Sequence, residues 1–169
     1  MNITAVYISP TQAVLPLTVY YDHSCVLCRS EIENIQARDE RGQLHMVDCS
    51  CAGFDTRAMP VDQATLMGCI HAVDAQGRWL KATDVFVVCY RAAGMGSVAS
   101  AFAFAKPLLE RLYPWIAKHR HLFSAVGIPK VFQMFTRKHL QRKAQLAMAA
   151  SQGCQDGACD TTTSNKAKS

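Results

Sequence analysis

The chain has 169 residues, of which half are hydrophobic and 18% are charged. This composition excludes an intrinsically disordered protein and predicts one domain with its own core. The net charge of +5 lies entirely in the C-terminal part, where seven Lys and Arg against two Asp follow from Pro129 onward. Such a segment is most often a solvated helix face, although contact with a membrane surface stays open; we expect no nucleic-acid partner.

Eight cysteines are many for a chain of this length. The first sixteen residues contain no Lys or Arg and include two prolines, a pattern unlike a secretory signal. We therefore expect a cytoplasmic protein, in which cysteines are more often catalytic, metal-binding or buried than disulfide-bonded. The most apolar later stretch, residues 97–117, includes two basic residues, one acid and two prolines, so we predict no membrane span there.

An apolar run of strand length, residues 17–21, opens the first structural unit. Turn residues follow it, and Ser24 is the predicted N-cap of a helix that starts at Cys25. Apolar residues then recur at helical spacing, with charged residues such as Glu31 mostly on the opposite side. Residues 44–48 form the next strand and complete a β-α-β unit.

A crossover of this kind is right-handed and joins parallel strands, so the carboxyl ends of both strands emerge at one edge of the sheet. The residues that follow the two strands should therefore lie close together. They are Asp22 and Cys25 after the first strand, and Asp48, Cys49 and Cys51 after the second.

The later residues predict a short helix, a hairpin and a series of helices. The short helix falls within residues 61–67, and the hairpin strands are residues 68–73 and 78–82. Thr83 is the predicted cap of the next helix. Prolines separate three further helices, at residues 99–105, 107–118 and 129–150.

Composition divides the chain into four predicted parts. They are an N-terminal extension (1–16), an α/β domain (17–124), a basic C-terminal helix (125–150) and a flexible tail with cysteines (151–169). Within the extension, residues 3–8 are rich in β-formers and predict either an extra edge strand or an unstructured arm.

Cys25 and Cys28 form a Cys-x-x-Cys pair where a strand gives way to a helix. A helix N-terminus favours the reactive thiolate, because its unpaired N–H groups and dipole attract negative charge. Cys25 receives that benefit, and Cys28, one turn later, can attack back on a mixed disulfide. Asp22 either exchanges the proton of Cys28, which we expect to be the more buried thiol, or caps the helix or binds loop amides. His23 is either a nearby positive charge or a turn residue.

The remaining cysteines leave several interpretations open. Cys49 and Cys51 could join the first pair as a zinc or copper(I) site, exchange disulfides with it, or be incidental thiols. Cys69 and Cys89 are most simply buried small hydrophobic residues. A tail pair, Cys154 and Cys159, could form its own disulfide, deliver electrons to the first pair, or have no role.

Six short motifs occur in a fixed order between residues 17 and 123. They are Tyr21-Asp22-His-Ser-Cys25-x-x-Cys28, Val47-Asp48, Gly53-Phe54-Asp55, Ile70-His71-x-x-Asp74-x-x-Gly77-x-Trp79, Val85-Phe86 and Tyr113-x-x-x-Ala117-x-x-Arg120. Together they resemble the DCC family of thiol-disulfide oxidoreductases, named for its Asp-Cys-Cys signature. The resemblance implies an α/β, thioredoxin-like β-α-β-β-β-α core with additional C-terminal helices, and Cys25 and Cys28 as the redox pair.

The chain departs from the family pattern at three places. His23 follows the Asp where the family usually has Gly, and Ala82 stands where Gly is usual near the start of the later helix. Thioredoxins place a cis-proline before the third strand, whereas the nearest proline here is Pro60. This last departure argues against thioredoxin-style peptide binding.

Our leading hypothesis is a thiol-disulfide oxidoreductase of the protein-disulfide reductase type that acts on a disulfide-containing protein or a small thiol. In it Cys25 attacks, Cys28 resolves and Asp22 assists proton transfer, and no bound cofactor is required because the dithiol holds the electrons. One alternative is a thiolate metal-binding module that uses Cys25, Cys28, Cys49 and Cys51. The other is an adaptor whose basic C-terminal helix binds a membrane or a partner and whose dithiol is vestigial.

Overall fold

The computed structural model describes residues 4–125 and 128–155. The elements are β1 (Leu17–Tyr21), α1 (Val26–Gln36), β2 (Leu44–Asp48), α2 (Gln63–Gly68), β3 (His71–Val73), β4 (Trp79–Lys81), α3 (Thr83–Ala92), α4 (Gly96–Ala125) and α5 (Ile128–Gln155). None of the helices in these two ranges has the length and hydropathy that a membrane span requires.

The four strands form one mixed sheet in the order β2-β1-β3-β4. β1 pairs in parallel with β2, whereas β3 is antiparallel to both β1 and β4. The predicted β-α-β unit and hairpin are therefore confirmed, as is the thioredoxin-like α/β fold with additional C-terminal helices. The N-terminal extension runs beside β4, because Tyr7 forms a parallel bridge with Trp79.

Apolar side chains cover both faces of the sheet. On one face, Val19 of β1 packs with Ile32 and Ile35 of α1 and with residues of α3, and each fully buried isoleucine stabilises the fold by about 2 kcal/mol. On the other face, Leu66 of α2 packs against Trp79. α1 and α2 thus lie on opposite sides of the sheet, which determines the direction in which nearby cysteines point.

The long helix α4 differs from the predicted pattern. We expected one helix to end near residue 105 and another to begin at Pro107, but α4 continues without a break from Gly96 to Ala125. Pro107 is exposed, so water can reach the backbone carbonyl that the proline leaves without its helical partner. An ion pair between Lys106 and Asp84, with 2.6 Å between Nζ and Oδ1, ties this part of α4 to α3.

The start of α3 also differs from the prediction, since Thr83 is the first helical residue and does not cap the helix. Ala82 occupies the N-cap position, with φ 51° and ψ −125°, and no side chain caps the end. The N–H of Ala82 donates a hydrogen bond to the Ile70 carbonyl at 2.9 Å. Glycine adopts this backbone conformation without steric cost and alanine does not, which explains why a glycine suits this position.

We predict that Ala82→Gly stabilises the protein by about 1 kcal/mol, because it relieves the unfavourable backbone conformation while it keeps the N–H donor. Urea unfolding, monitored by circular dichroism, measures the change in the free energy of unfolding. Ala101→Gly, at an exposed position inside α4, is the matched control and should destabilise by about 1 kcal/mol. A less stable Ala82→Gly protein would contradict the prediction.

Candidate active site

Cys25 itself is the N-cap of α1. Its backbone is extended (φ −79°, ψ 108°), and its Sγ accepts a hydrogen bond from the N–H of Cys28 at 3.3 Å. The prediction that Ser24 caps the helix is therefore wrong. The Ser24 hydroxyl instead donates to Asp22 Oδ1 at 2.5 Å, so it is already engaged by a neighbouring carboxylate.

The capping bond has a direct chemical consequence. An N–H donor and the positive end of the helix dipole both favour a negative charge on the Cys25 sulfur. Cys25 is nevertheless buried, with 0% of its surface exposed, whereas Cys28 is half-buried. The expectation that Cys28 is the more buried thiol is therefore wrong, because the Cys25 sulfur lies beneath the turn and Cys28 lies one turn further along α1.

Asp22 shapes the turn that presents Cys25. It is 4% exposed, and its Oδ1 also accepts the N–H of Ser24 at 3.0 Å. Its main-chain carbonyl accepts the N–H of Cys25 at 3.3 Å. Asp22 therefore binds the loop amide, as one of the two sequence interpretations expected.

The loops that follow β1 and β2 lie side by side, as the parallel crossover predicted. Tyr21 is the register partner of Asp48, and the N–H of His23 donates to Asp48 Oδ1 at 3.2 Å. The exposed His23 ring lies against Tyr21, with 3.0 Å between Nδ1 and the hydroxyl oxygen. His23 thus participates in the turn through its backbone and packs on the strand end through its ring.

Asp48 is the carboxylate that holds these two loops together. Burial alone would raise its pKa, but hydrogen bonds from Ser50 and from the N–H of His23 outweigh burial and lower the pKa of Asp48 to about 2. The Ser50 hydroxyl and N–H lie 2.6 and 2.8 Å from Oδ1. Asp48 is therefore ionised throughout the physiological pH range.

Cys49 and Cys51 lie at the expected edge of the sheet but point away from α1. The Cys49 N–H donates to the Tyr21 carbonyl at 3.0 Å, and its thiol lies 3.1 Å from the same oxygen. The buried Cys49 side chain packs with Leu66 on the α2 face. The exposed Cys51 thiol donates to Asp48 Oδ2 at 3.4 Å, and this bond raises its pKa.

A four-sulfur metal site is not formed by these cysteines. In residues 4–125 and 128–155, no group of three or more His, Cys, Asp or Glu side chains has an arrangement that could hold a metal ion. The physical reason is that Cys49 faces the α2 side of the sheet and Cys51 turns toward Asp48. The proposed tail pair is not placed, since the Cys154 side chain and Cys159 lie outside the described residues.

Cys69 and Cys89 have environments that suppress thiolate formation. Cys89 is fully buried on α3, and burial, followed by the charges of Asp39 and Glu31, raises its pKa to about 12. Cys69 is half-buried near the ring of His71, and burial raises its pKa as well. Cys89 is thus a buried small side chain, as predicted.

Glu31, three residues after Cys28 on α1, is a buried acid that the sequence analysis placed on the polar side of the helix. It is 6% exposed and accepts a hydrogen bond from the Tyr90 hydroxyl of α3. Burial raises the pKa of Glu31 to about 7, although the Tyr90 bond and the charge of Arg38 oppose the shift. The sequence does indicate that Glu31 is buried. Glu31 lies four residues from both Leu27 and Ile35 and therefore shares a helix face with these apolar residues.

A strand that leads into a helix capped by the first cysteine of a Cys-x-x-Cys pair, within a mixed four-stranded sheet, defines a thioredoxin-like dithiol protein. Residues 19–125 match the model of the DCC1-like thiol-disulfide oxidoreductase family, and the chain belongs to this family.

The chain is 30% identical over 119 residues to an Arabidopsis thaliana protein named "Uncharacterized protein At5g50100, chloroplastic". The alignment covers 68% of this chain and 55% of that relative, so the matched region spans about half the length of the plant protein. No solved structure matches the chain.

The raised pKa of Glu31 predicts a pH-dependent stability. The folded state keeps a proton that the unfolded state releases near the ordinary pKa of 4.5, so this stabilisation is full below pH 4.5 and is lost as the pH rises toward 7. The loss is on the order of 3 kcal/mol. Glu31→Gln keeps the acceptor for Tyr90 and should remove this pH dependence, as measured by urea unfolding from pH 4 to 8.

Glu33→Gln is the matched control for this experiment, because Glu33 lies on the same helix with 54% of its side chain exposed. It should leave the pH dependence of the wild-type protein unchanged. A Glu31→Gln protein whose unfolding free energy follows the same pH profile as the wild-type protein would disprove the assignment.

Proposed function

We propose that the protein is a thiol-disulfide oxidoreductase of the reductase type, with a disulfide-containing protein or a small disulfide as its substrate. The observation that carries this proposal is the capping bond from the Cys28 N–H to Cys25 Sγ. It stabilises a sulfur anion at the beginning of α1 and keeps the second sulfur one helical turn away. Membership in the DCC1-like family supports the same chemistry.

The proposed exchange proceeds in two steps. The Cys25 thiolate attacks one sulfur of the substrate disulfide, forms a mixed disulfide and releases the other substrate sulfur as a thiolate, which takes up a proton. Cys28 then loses its proton and attacks Cys25, which forms the Cys25–Cys28 disulfide and releases the second substrate thiol. Two electrons pass to the substrate, and an external thiol donor restores the dithiol. The dithiol carries the electrons, so the proposal includes no bound cofactor.

Access to Cys25 requires a local movement. Cys25 is buried in the described conformation, and its neighbour Val26 is 40% exposed. We propose that a substrate displaces the turn that includes Ser24 and contacts Val26 as it reaches the Cys25 sulfur. Displacement of this turn would break the hydrogen bonds that Ser24 makes to Asp22.

We further propose that Asp22 accepts the proton of Cys28 during the second step. Its carboxylate lies at the start of the turn that leads to the pair, and a carboxylate in that position can act as a general base. A cytoplasmic location remains part of this proposal.

Replacement of the cysteines tests the exchange itself. Cys25→Ser should abolish the dithiothreitol-driven reduction of insulin, because no thiolate remains at the helix cap. Cys28→Ser should accumulate a mixed disulfide between Cys25 and the substrate, which mass spectrometry detects. Cys51→Ser removes an exposed thiol at the same sheet edge and should leave turnover unchanged.

Two outcomes of that experiment would count against the proposal in different ways. Wild-type turnover by the Cys25→Ser protein would exclude exchange through this pair. A mixed disulfide trapped by Cys25→Ser, and not by Cys28→Ser, would keep the exchange but reverse the roles of the two cysteines.

Asp22→Asn tests the proton transfer, because asparagine keeps the oxygen acceptor for the loop but cannot take a proton. The exchange rate should fall by on the order of 100-fold, because the second step loses its general base. Ser24→Ala is the control, since it removes the 2.5 Å bond to Asp22 and leaves the carboxylate in place. Equal, small effects of both substitutions on the exchange rate would show that Asp22 binds the loop and does not transfer the proton.

A further inference from the structure

The protein carries its charge in two opposite blocks. Residues 1–95 contain ten acidic and seven basic residues, whereas residues 96–155 contain nine basic residues and one acid. The Cys-x-x-Cys domain is therefore negatively charged, and α4 and α5 together carry eight excess positive charges. α5 contains no Asp or Glu between residues 128 and 155.

The outer side of α4 is apolar. Four large side chains, here named the α4 stripe, recur at spacings of four and three residues and lie within a sector of roughly 80° on the helix. They are Phe104, Leu108, Leu112 and Trp115, with exposed fractions of 91%, 60%, 42% and 56%. The exposed basic residues Arg111 and Lys118 lie along the edge of this stripe.

One side of α5 packs against α1 and the loop that follows α1. The Thr136 hydroxyl lies 3.2 Å from Asn34 Oδ1, and Lys143 Nζ lies 3.1 Å from Glu40 Oε1. The adjoining, exposed side of α5 carries both apolar and basic side chains. The apolar members are Val131, Phe135 and Leu146, exposed by 47%, 50% and 72%, and the basic members are Lys138 and Arg142.

We propose that the α4 stripe and this exposed side of α5 bind the surface of an anionic lipid bilayer, with both helices in the plane of the interface. Large apolar and aromatic side chains beside Lys and Arg are the chemistry that the boundary between acyl chains and anionic headgroups accepts. Phe104 and Trp115 enter that boundary, and Arg111, Lys118, Lys138 and Arg142 contact the headgroups.

Other occupants fit these helices less well. A nucleic acid would neutralise the basic residues but would leave the α4 stripe in water. A second copy that docked through the same two helices would bring two strongly positive surfaces together, which electrostatic repulsion opposes. An anionic membrane surface neutralises the basic residues and also removes the apolar α4 stripe from water. None of these contacts involves Cys25 or Cys28, so this proposal is independent of the proposed function.

Binding of the full chain to lipid vesicles tests the proposal. The protein should co-sediment with phosphatidylcholine vesicles that contain phosphatidylserine, should bind pure phosphatidylcholine vesicles much less, and should dissociate as salt is added. The chain has two tryptophans, of which Trp79 is 5% exposed and Trp115 is 56% exposed. Tryptophan emission should therefore shift to the blue on binding, and Trp115→Phe should abolish the shift while it preserves co-sedimentation.

Charge and apolar variants separate the two contributions. Lys138→Gln with Arg142→Gln should weaken binding by about 25-fold, since each basic residue near an anionic surface contributes roughly fivefold. Arg41→Gln with Arg57→Gln lowers the net charge equally at exposed positions of the other block and should change binding little. Phe104→Ser with Leu108→Ser should reduce both co-sedimentation and the emission shift, at positions too exposed to affect folding.

Three results would overturn the proposal. They are the absence of co-sedimentation with anionic vesicles at low salt, equal losses of binding in the Lys138/Arg142 and Arg41/Arg57 double variants, and binding without any change in Trp115 emission. Tighter binding to duplex DNA than to the vesicles would also overturn the proposal, because it would indicate a nucleic acid as the partner.

Discussion

The parallel pairing of β1 with β2 is the constraint on which the arrangement of the sulfur atoms depends. Because α1 connects the two strands, its N-terminus begins at the edge where both strands end. Cys25 becomes the helix cap at that edge, and Asp48 binds the neighbouring loop through the N–H of His23. The same pairing places Cys49 at the end of β2, where its side chain enters the apolar layer on the α2 face. One backbone pairing thus brings the loops together and separates their thiols.

Two acidic side chains on or near this unit have pKa values that are shifted in opposite directions, each for a physical reason. Asp48 collects hydrogen bonds from the loops and stays ionised, whereas Glu31 is surrounded by the core and is held partly neutral near pH 7. The first carboxylate stabilises the loops at the sheet edge by its charge. The second links α1 to α3 through Tyr90, and its charge would be costly at that depth.

Periodicity and local turn chemistry predicted most of the fold. The strands and helices of the β-α-β unit, the hairpin and the short helix α2 follow from runs of apolar residues and from turn residues. The predictions of the Ser24 cap and of a helix break at Pro107 were wrong because contacts with neighbouring groups outweighed the local preference of the residue. Ser24 has good capping chemistry, but Asp22 takes its hydroxyl. Pro107 is a helix breaker by rule, but it lies at an exposed position in a helix that packs on α3.

The sequence by itself determined the chemistry that is available: a Cys-x-x-Cys pair after a strand, an acid before it, and a positive charge concentrated in the last helices. These features depend on residue type and spacing, which are local and can be read directly. Only the tertiary structure decided that Cys25 is buried, that Glu31 meets Tyr90, and that Cys49 and Cys51 do not join the pair. Burial and side-chain direction are set by contacts between residues far apart in the chain, and spacing along one segment does not specify them.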